Sequence, residues 1–270
     1  MHILERWCIA MRHSPWLDRM DWLWDRLRPY YERIVALFGR NGLKRTINGT
    51  DCLLISPRFR GITEIYEPEV WNHLMAEVQP GDIVADVGAF IGLYTIALAK
   101  RVGSSGKVVA FEPDPVNFAA LKAHVELNGV SDWVELIQAA VSAQDGFVSF
   151  QTGRASESHI SQVSGNGTRM VRCVRLDTIF SDRELDIIKI DVEGNEEEVL
   201  KGALNLLQDY RRSPRAIYIE VHPYAWPAIG SSSASLLALL AECNYRGFTL
   251  DGRRLEQIER YGEIVAHRCS

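Results

Sequence analysis

The sequence lacks the features that mark several common classes of protein. Its five cysteines (Cys8, Cys52, Cys173, Cys243 and Cys269) are odd in number and form no C-x-x-C pair. This pattern indicates neither a zinc site nor a disulfide framework, and it favours a reducing, cytoplasmic setting. No apolar run reaches membrane-spanning length, and the N-terminus has no uninterrupted apolar core like that of a signal peptide.

An excess of basic residues is also missing. The chain has 30 Lys and Arg residues against 35 Asp and Glu residues, so its net charge is −5. Nucleic-acid binding would favour a basic stripe, and we therefore expect no nucleic-acid partner. A hydrophobic fraction of 47% over 270 residues supports a full core and excludes general disorder. We expect a helical extension over residues 1–60 and a single α/β domain over residues 61–270.

The expected extension is rich in tryptophan. It holds four of the seven tryptophans, Trp7, Trp16, Trp22 and Trp24. Apolar residues recur at three- or four-residue steps after Trp16, which predicts an amphipathic helix that is bent or split at Pro29. We interpret this helix as packing on the main domain or on a second subunit in a homodimer. A membrane-surface helix and a lid over the substrate remain alternatives.

The stretch from Gly81 to Thr95 organises the rest of the chain. An apolar run over residues 83–87 predicts a buried parallel strand, and an Ala-rich segment from residue 93 to residue 100 predicts a helix. A glycine loop joins them, as in the first unit of a doubly wound α/β domain. Gly88 lets a ligand approach the backbone, and Gly92 permits a tight entry into the helix.

Two acidic residues indicate which ligand the loop holds. Asp86 occupies the first glycine position of a dinucleotide fingerprint, where it would repel a pyrophosphate but suit the amino group of S-adenosylmethionine. Glu112 ends the predicted second strand, where a carboxylate accepts hydrogen bonds from ribose hydroxyls. Gln138, Ala139 and Ala140 follow the third strand, beside the expected adenine pocket. A nicotinamide-dependent oxidoreductase and an ordinary turn with an incidental acid remain open.

The middle of the chain departs from simple strand–helix alternation. Asp145-Gly146 predicts a hairpin between residues 140–141 and 147–150. A polar loop follows over residues 152–168, and it contains Glu157, Ser158 and His159. A loop of this length inside a domain indicates a functional role. Farther along, we expect one helix from residue 195 to about residue 207 and an antiparallel pair of final strands, 245–250 and 264–268.

Polar residues end two further predicted strands. Asp191 and Glu193 follow the fourth core strand, and Glu220 and His222 end the fifth. His222 or one of the carboxylates could remove a proton from a substrate hydroxyl, and this is the role we favour. A divalent cation held by Asp191, Glu193 and Glu220 is the alternative. Structural roles also remain open, for His222 as a hydrogen-bonded core histidine and for Lys189 as the partner of a carboxylate.

These motifs together resemble the FkbM family of S-adenosylmethionine-dependent methyltransferases. The resemblance runs in order over about residues 62–225, in the stretches 66–69, 80–92, 111–115, 175–177, 189–196 and 220–223. It implies a Rossmann-like class I methyltransferase with a mostly parallel seven-stranded sheet, helices on both faces and O-methyltransferase activity on a small molecule or glycan. Phe90 stands where the family more often has asparagine, so a polar contact to the cofactor is missing.

The resemblance also implies roles for particular residues. Asp86, Gly88 and Glu112 would bind the cofactor, and Asp191 and Glu193 would border the acceptor. The full set of candidate cofactor-binding residues is Asp86, Gly88, Ala89, Phe90, Gly92, Tyr94, Glu112, Pro113, Asn117, Gln138, Ala139, Ala140 and Asp191. Nitrogen or carboxylate acceptors remain alternatives to a hydroxyl. So does an inactive S-adenosylmethionine-binding scaffold that acts through the Trp-rich helix.

Overall fold

The computed structural model describes residues 41–151, 159–160 and 168–269, together with positions 22, 26, 27, 29, 30 and 33. These six positions are all helical, and Trp22, Leu27 and Tyr30 are exposed. The rest of the predicted N-terminal helix lies outside the described residues, as does most of the 152–168 loop. In the part of the chain that the structure describes, no helix combines the length and the hydropathy needed to cross a bilayer.

The described elements follow the order expected for an α/β domain. The strands are β1 (Leu43–Ile47), β2 (Asp51–Ile55), β3 (Ile83–Val87), β4 (Lys107–Phe111), β5 (Val134–Ile137), β6 (Ala140–Val141), β7 (Gly146–Gln151), β8 (His159–Ile160), β9 (Thr168–Val174), β10 (Ile187–Ile190), β11 (Ala216–Val221), β12 (Tyr245–Thr249) and β13 (Gly262–Arg268). The helices are α1 (Pro68–Glu77), α2 (Leu93–Val102), α3 (Pro115–Leu127), α4 (Leu176–Ile179), α5 (Glu196–Lys201), α6 (Leu204–Gln208), α7 (Trp226–Ile229) and α8 (Ser233–Glu242).

A seven-stranded sheet confirms the predicted architecture. Its strand order is β12-β13-β11-β10-β3-β4-β5, and only the pairings of β13 with β11 and β12 are antiparallel. From β3 the chain moves outward to β5 and then returns to place β10 on the other side of β3. The boundary between β3 and β10 is therefore the topological switch point, where a ligand crevice opens at the carboxyl ends of the strands.

Apolar side chains cover both faces of this sheet. Val84 of β3 packs in one core with Trp71 of α1 and Leu98 of α2. Its neighbour Ala85 points to the opposite core, which contains Leu200 of α5. This alternation reflects the two-residue period of a strand, and burial on both faces explains why β3 is apolar except for Asp86. The predicted helices on both faces are confirmed.

Residues 41–60 add a β-hairpin, whose second strand is predicted by the turn signal at residues 48–51 and the short run at residues 52–56. Strands β1 and β2 pair antiparallel, and their side chains Ile47, Leu53 and Ile55 are buried in the same core as Trp71. The indole Nε1 of Trp71 also donates a hydrogen bond to Asp51 Oδ2 at 2.8 Å. The last third of the expected extension therefore packs as part of the main core.

The predicted hairpin at Asp145-Gly146 is wrong. Strand β9 lies between β6 and β7, parallel to β6 and antiparallel to β7. The Asp145 carboxylate does not close a local turn but accepts hydrogen bonds from the Arg175 backbone N–H at 2.9 Å and from the Thr178 hydroxyl at 2.7 Å. Contacts with the chain that follows β9 thus decide the pairing of this small sheet.

The single helix predicted for residues 195–207 is two helices, α5 and α6. They are separated at Gly202 and Ala203, where the chain passes close to another segment. A Cβ on Gly202 would lie 2.1 Å from the carbonyl oxygen of Ser142. Asp177 then accepts hydrogen bonds from the backbone N–H groups of Asn205 at 3.2 Å and of Leu206 at 2.8 Å, near the start of α6. Distant contacts therefore break the helix where the local sequence would continue it.

His124 makes the stability of this core sensitive to pH. The buried ring donates from Nδ1 to the Ile91 carbonyl at 2.8 Å and accepts at Nε2 from the Ser56 backbone N–H at 2.9 Å. Only the neutral ring can make both bonds, and burial lowers the pKa of His124. Below about pH 6.5 the unfolded chain therefore binds a proton that the folded chain does not. We expect the free energy of unfolding to fall as the pH drops from 7 toward 5.

A substitution separates this histidine from the other titrating groups. His124→Asn removes the ring but keeps one donor and one acceptor, so denaturant unfolding of this variant should depend less on pH between 7 and 5. The wild-type chain should lose about 1.4 kcal/mol more for each pH unit by which the folded pKa lies below the unfolded one. Parallel curves for the two proteins would contradict this role for His124.

Candidate functional site

The glycine loop after β3 is held tightly against the neighbouring strands. Gly88 and Gly92 have φ angles of +85° and +90°, and Phe90 between them has a φ of +51°. The backbone N–H groups of Gly88 and Ala89 donate to the Phe111 carbonyl at 3.0 and 2.9 Å. A Cβ on Gly88 would lie 1.7 Å from the Asp191 carbonyl oxygen. Only glycine therefore fits where β3 and β10 meet.

Glu112 forms the second part of the site, at the end of β4. Its Oε2 accepts a hydrogen bond from the Phe90 backbone N–H at 2.9 Å, and its Oε1 accepts one from the Asp114 N–H at 2.8 Å. Burial raises the pKa of Glu112 to about 8, although these two hydrogen bonds favour the ionised form. These bonds hold both oxygens in fixed directions, so a rigidly oriented carboxylate can accept hydrogen bonds from ligand hydroxyls.

A cavity of about 380 Å³ opens between these two features, within the size range of small-molecule sites. The ends of β3, β4, β10 and β11 and the segments that follow them supply much of its wall. The lining residues are Tyr66, Glu67, Val87, Gly88, Phe90, Phe111, Glu112, Pro113, Asn117, Ala139, Ala140, Val141, Phe150, Asp191, Val192, Glu193, Glu220 and Tyr261.

Ten of the predicted site residues meet on this wall. They are Gly88, Phe90, Glu112, Pro113, Asn117, Ala139, Ala140, Asp191, Glu193 and Glu220. Parallel strands bring them together because their carboxyl ends share one edge of the sheet. Six other predicted residues are not among the lining residues: Asp86, Ala89, Gly92, Tyr94, Gln138 and His222.

Four of these six residues, Ala89, Gly92, Tyr94 and Gln138, do not contribute to the cavity wall for different reasons. Ala89 and Gly92 are buried within the loop, and a Cβ on Gly92 would lie 2.5 Å from the side chain of Leu121 in α3. Gln138 is exposed. Tyr94 is buried, and its hydroxyl donates to Glu67 Oε2 at 2.8 Å. Tyr94 thus orients a wall residue rather than forming the wall.

Asp86 also lies behind the wall. It is fully buried, and its Oδ2 accepts a hydrogen bond from the Thr95 hydroxyl at 2.6 Å. Burial raises the pKa of Asp86, and the neighbouring Lys189 and the bond from Thr95 offset part of that rise. Its Oδ1 has no hydrogen-bond partner in the described parts of the chain. A buried carboxylate oxygen of this kind can accept a hydrogen bond from a ligand or a bridging water.

Lys189 is buried next to the acidic residues of the site and stabilises them. Its Nζ lies 3.5 Å from Asp191 Oδ2 and 4.5 Å from the centroid of the Tyr94 ring. Burial by itself would lower the pKa of Lys189, but the carboxylates of Asp191 and Asp86 outweigh burial and raise it. Lys189 is therefore a cation, and its predicted pairing with a carboxylate is confirmed.

The described wall itself carries only acidic charge. Glu67, Glu112, Asp191, Glu193 and Glu220 line it, whereas none of its described lining residues is Lys, Arg or His. Burial and the neighbouring Asp191 raise the pKa of Glu220 to about 8, and the Tyr261 hydroxyl donates a hydrogen bond to it. This concentration of carboxyl groups suits a cationic ligand, whose charge favours their ionised form.

His222 is buried beside the wall. Its Nδ1 donates a hydrogen bond to Glu196 Oε1 at 2.7 Å, and its Nε2 lies 3.5 Å from Glu193 Oε2. Burial would lower the pKa of His222, but the hydrogen bond to Glu196 and the nearby carboxylates raise it. Glu193 lines the cavity, whereas His222 does not. The structure therefore does not place His222 in the predicted direct contact with a substrate.

Sequence reasoning missed several wall residues from outside the core strands. Tyr66 and Glu67 precede α1, Phe150 belongs to β7, and Tyr261 precedes β13. Tyr66-Glu67 lies inside a motif noted above, so that signal was available. Tyr261 carries no local signal, because only the antiparallel pairing of β13 with β11 places it beside Glu220.

The chain is similar to known methyltransferases. The model of the methyltransferase FkbM domain matches residues 86–246, more than half of the chain. The chain is 28% identical over 159 residues to the hexuronic acid methyltransferase AglP of Haloferax volcanii, covering 58% of this chain and 62% of AglP. It is 27% identical to the 31-O-demethyl-FK506 methyltransferase FkbM of Streptomyces tacrolimicus, covering 62% of this chain and 69% of that protein.

A solved structure shows a more distant likeness. The crystal structure of methyltransferase FkbM from Methylobacillus flagellatus aligns with a TM-score of 0.47 and 18% identity. The alignment covers 69% of this chain and 43% of that one.

Proposed function

Because the chain belongs to the FkbM methyltransferase family, we propose that it is an S-adenosylmethionine-dependent methyltransferase that acts on a hydroxyl group of a small molecule or glycan. One observation carries the proposal. Glu112 lies across from the Gly88 loop, and both of its carboxylate oxygens are oriented by backbone N–H groups. This is the arrangement that a ribose with two adjacent hydroxyls requires.

The described residues fit this cofactor in three respects. Glu112 offers acceptors for the ribose at the cavity wall. Ala139 and Ala140 supply an apolar surface for an adenine ring. The acidic wall suits a donor with a sulfonium and an ammonium group, and the buried Oδ1 of Asp86 offers a further acceptor. When bound, S-adenosylmethionine supplies a methyl group that passes from its sulfur to the acceptor oxygen and leaves S-adenosylhomocysteine.

The acceptor would lie at the acidic end of the cavity. Asp191, Glu193 and Glu220 border this end, with Tyr66 and Tyr261 as aromatic neighbours. Carboxylates there can accept hydrogen bonds from the hydroxyl and orient its oxygen, while Glu220 takes its proton. The two named relatives act on a hexuronic acid and on 31-O-demethyl-FK506, which supports a hydroxylated acceptor.

Calorimetry with S-adenosylhomocysteine tests the cofactor half of the proposal. Glu112→Gln replaces one of the two backbone-oriented oxygens with an amide nitrogen that cannot accept a hydrogen bond, so the dissociation constant should rise about 10- to 100-fold. Glu135→Gln, on β5 in a partly buried ion pair with Arg183 and not among the lining residues of the cavity, is the matched control and should bind like the wild-type chain. Equal affinity in all three proteins would contradict the assignment of Glu112.

A labelled methyl group tests the acceptor half. The chain is incubated with methyl-labelled S-adenosylmethionine and fractions of hydroxylated metabolites and glycans, and the products are identified by mass spectrometry. An ether product supports O-methylation, whereas a labelled amine or ester indicates a nitrogen or carboxylate acceptor. Cofactor binding without a labelled product in any fraction would favour the scaffold alternative.

A further inference from the structure

We propose that Asp191, Glu193 and His222 form a divalent-cation site beside the acceptor end of the cavity. One ligand atom from each of these residues lies within 4.8 Å of the other two. Two atoms bound to one ion at about 2.1 Å are about 3.0 to 4.2 Å apart, depending on their angle. The 3.5 Å between His222 Nε2 and Glu193 Oε2 falls within that range. A small rotation of the two partly exposed carboxylates closes the remaining distance.

The environment of His222 matches that of a metal-binding histidine. Glu196 is fully buried, and its carboxylate accepts hydrogen bonds from His222 Nδ1 at 2.7 Å, from Trp226 Nε1 at 2.8 Å and from the Gly194 backbone N–H at 2.9 Å. The bond to Glu196 keeps the hydrogen on Nδ1 and directs Nε2 toward Glu193. Metal-ligating histidines are oriented in this way by a carboxylate on the other ring nitrogen.

The backbone presents Glu193 to this histidine. Glu193 has a φ of +52°, a left-handed conformation that is uncommon outside glycine. It is followed by Gly194, where a Cβ would lie 2.5 Å from the Cβ of Ala225. The loop after β10 is therefore packed closely against the segment after β11, which fixes the carboxylate of Glu193 near His222.

The local charge favours an added cation. Asp191, Glu193 and Glu220 converge here, and Glu220 Oε1 lies 4.0 Å from His222 Nε2. The positive charge of Lys189 offsets the negative charge of Asp191, so the other carboxyl groups leave an excess of negative charge at the wall. Two carboxylate oxygens and one imidazole nitrogen suit Mn²⁺ or Zn²⁺ better than Mg²⁺ or Ca²⁺, which prefer oxygen ligands alone. This set differs from the alternative of Asp191, Glu193 and Glu220 considered from the sequence, because His222 supplies a nitrogen ligand in place of Glu220.

The ion would act on the acceptor. Asp191 and Glu193 line the cavity, so an ion on them would contact an acceptor oxygen and lower the pKa of its hydroxyl, while Glu220 takes the proton. This role rests on the proposed methyl transfer, but binding of the ion does not. The binding experiment below and the S-adenosylhomocysteine titration therefore fail independently.

Electron paramagnetic resonance of Mn²⁺ tests the site directly. The full chain is freed of metal with a chelator, desalted and titrated with Mn²⁺, and we expect one bound ion per chain. Glu193→Gln should weaken binding about 10-fold or more. Asp251→Asn, which changes an exposed carboxylate in a turn, should bind Mn²⁺ like the wild-type chain. A denaturant unfolding curve like that of the wild-type chain shows that the Glu193→Gln protein is folded.

A spectroscopic readout identifies the nitrogen ligand. Pulsed measurements on the Mn²⁺-loaded wild-type chain should show coupling to one imidazole nitrogen, and His222→Gln should abolish that coupling. Glu193→Gln keeps the histidine and covers the case in which His222→Gln fails to fold. The proposal is overturned if the wild-type chain does not bind Mn²⁺. It is also overturned if the bound ion shows no nitrogen coupling and Glu193→Gln leaves its affinity unchanged.

Discussion

Replacing Gly88 with alanine is expected to destroy the proposed cofactor site and to destabilise the fold. The new Cβ would lie 1.7 Å from the Asp191 carbonyl oxygen and 2.9 Å from its carbonyl carbon. Neither backbone can move away easily, because the Asp191 N–H donates to the Val87 carbonyl at 2.9 Å and joins β10 to β3. We expect the free energy of unfolding to fall by about 4 kcal/mol or more, the range of severe backbone and packing changes.

Gly49→Ala is the matched control for this substitution. Gly49 has a φ of +76°, close to the +85° of Gly88, but a Cβ there would have nothing within 4 Å. Its cost should therefore be about 1 to 2 kcal/mol, from the left-handed backbone alone. Denaturant unfolding and S-adenosylhomocysteine calorimetry measure both variants. If Gly88→Ala is no less stable than Gly49→Ala and binds the ligand equally well, the close contact between β3 and β10 does not exist.

Glu220→Gln is expected to lower kcat strongly while leaving cofactor binding intact. The amide oxygen can still accept the hydrogen bond from Tyr261, but the side chain can no longer take a proton from the acceptor. The loss of a general base typically lowers kcat by about 10²- to 10⁴-fold. Glu220 lies on β11 at the proposed acceptor end, whereas Glu112 follows β4, so the dissociation constant of S-adenosylhomocysteine should not change. Single-turnover kinetics with the acceptor identified by the labelled methyl group measure the effect.

The neighbouring strand offers the control for Glu220. Glu263 of β13 is paired in register with Glu220 but is not among the lining residues of the cavity. Glu263→Gln removes a negative charge close to Glu220. It removes no group that can contact the acceptor, so kcat should remain close to that of the wild-type chain. Similar losses in both variants would show that the charge of this region, rather than proton transfer to Glu220, governs the rate.

Features encoded in short stretches were predictable from the chain. Asp114 followed by Pro115 predicts the start of α3, and Asp114 indeed accepts hydrogen bonds from the N–H groups of Val116 and Asn117. The apolar run at residues 83–87 predicts β3 with the same bounds that the structure shows. Caps, turns and strand runs involve neighbours within a few residues, so local chemistry is sufficient to identify them.

Other features depended on partners far along the chain. The separation of α5 from α6 follows from the approach of Gly202 to Ser142, and the insertion of β9 between β6 and β7 involves residues about 30 positions apart. No periodicity within either segment reports such a contact. The local prediction therefore failed at both places, because packing between distant segments decided them.

The sequence by itself determined the sheet, the glycine loop and the group of acidic residues at the strand ends. Strand period and helix caps are local, and the carboxyl ends of parallel strands must meet at one edge. Only the tertiary structure decided which of those side chains line the cavity. Asp86 turns inward to Thr95, His222 lies behind Glu193 on the buried Glu196, and Tyr261 reaches Glu220 from another strand. These positions depend on side-chain direction and on contacts between elements, which no single segment of the chain contains.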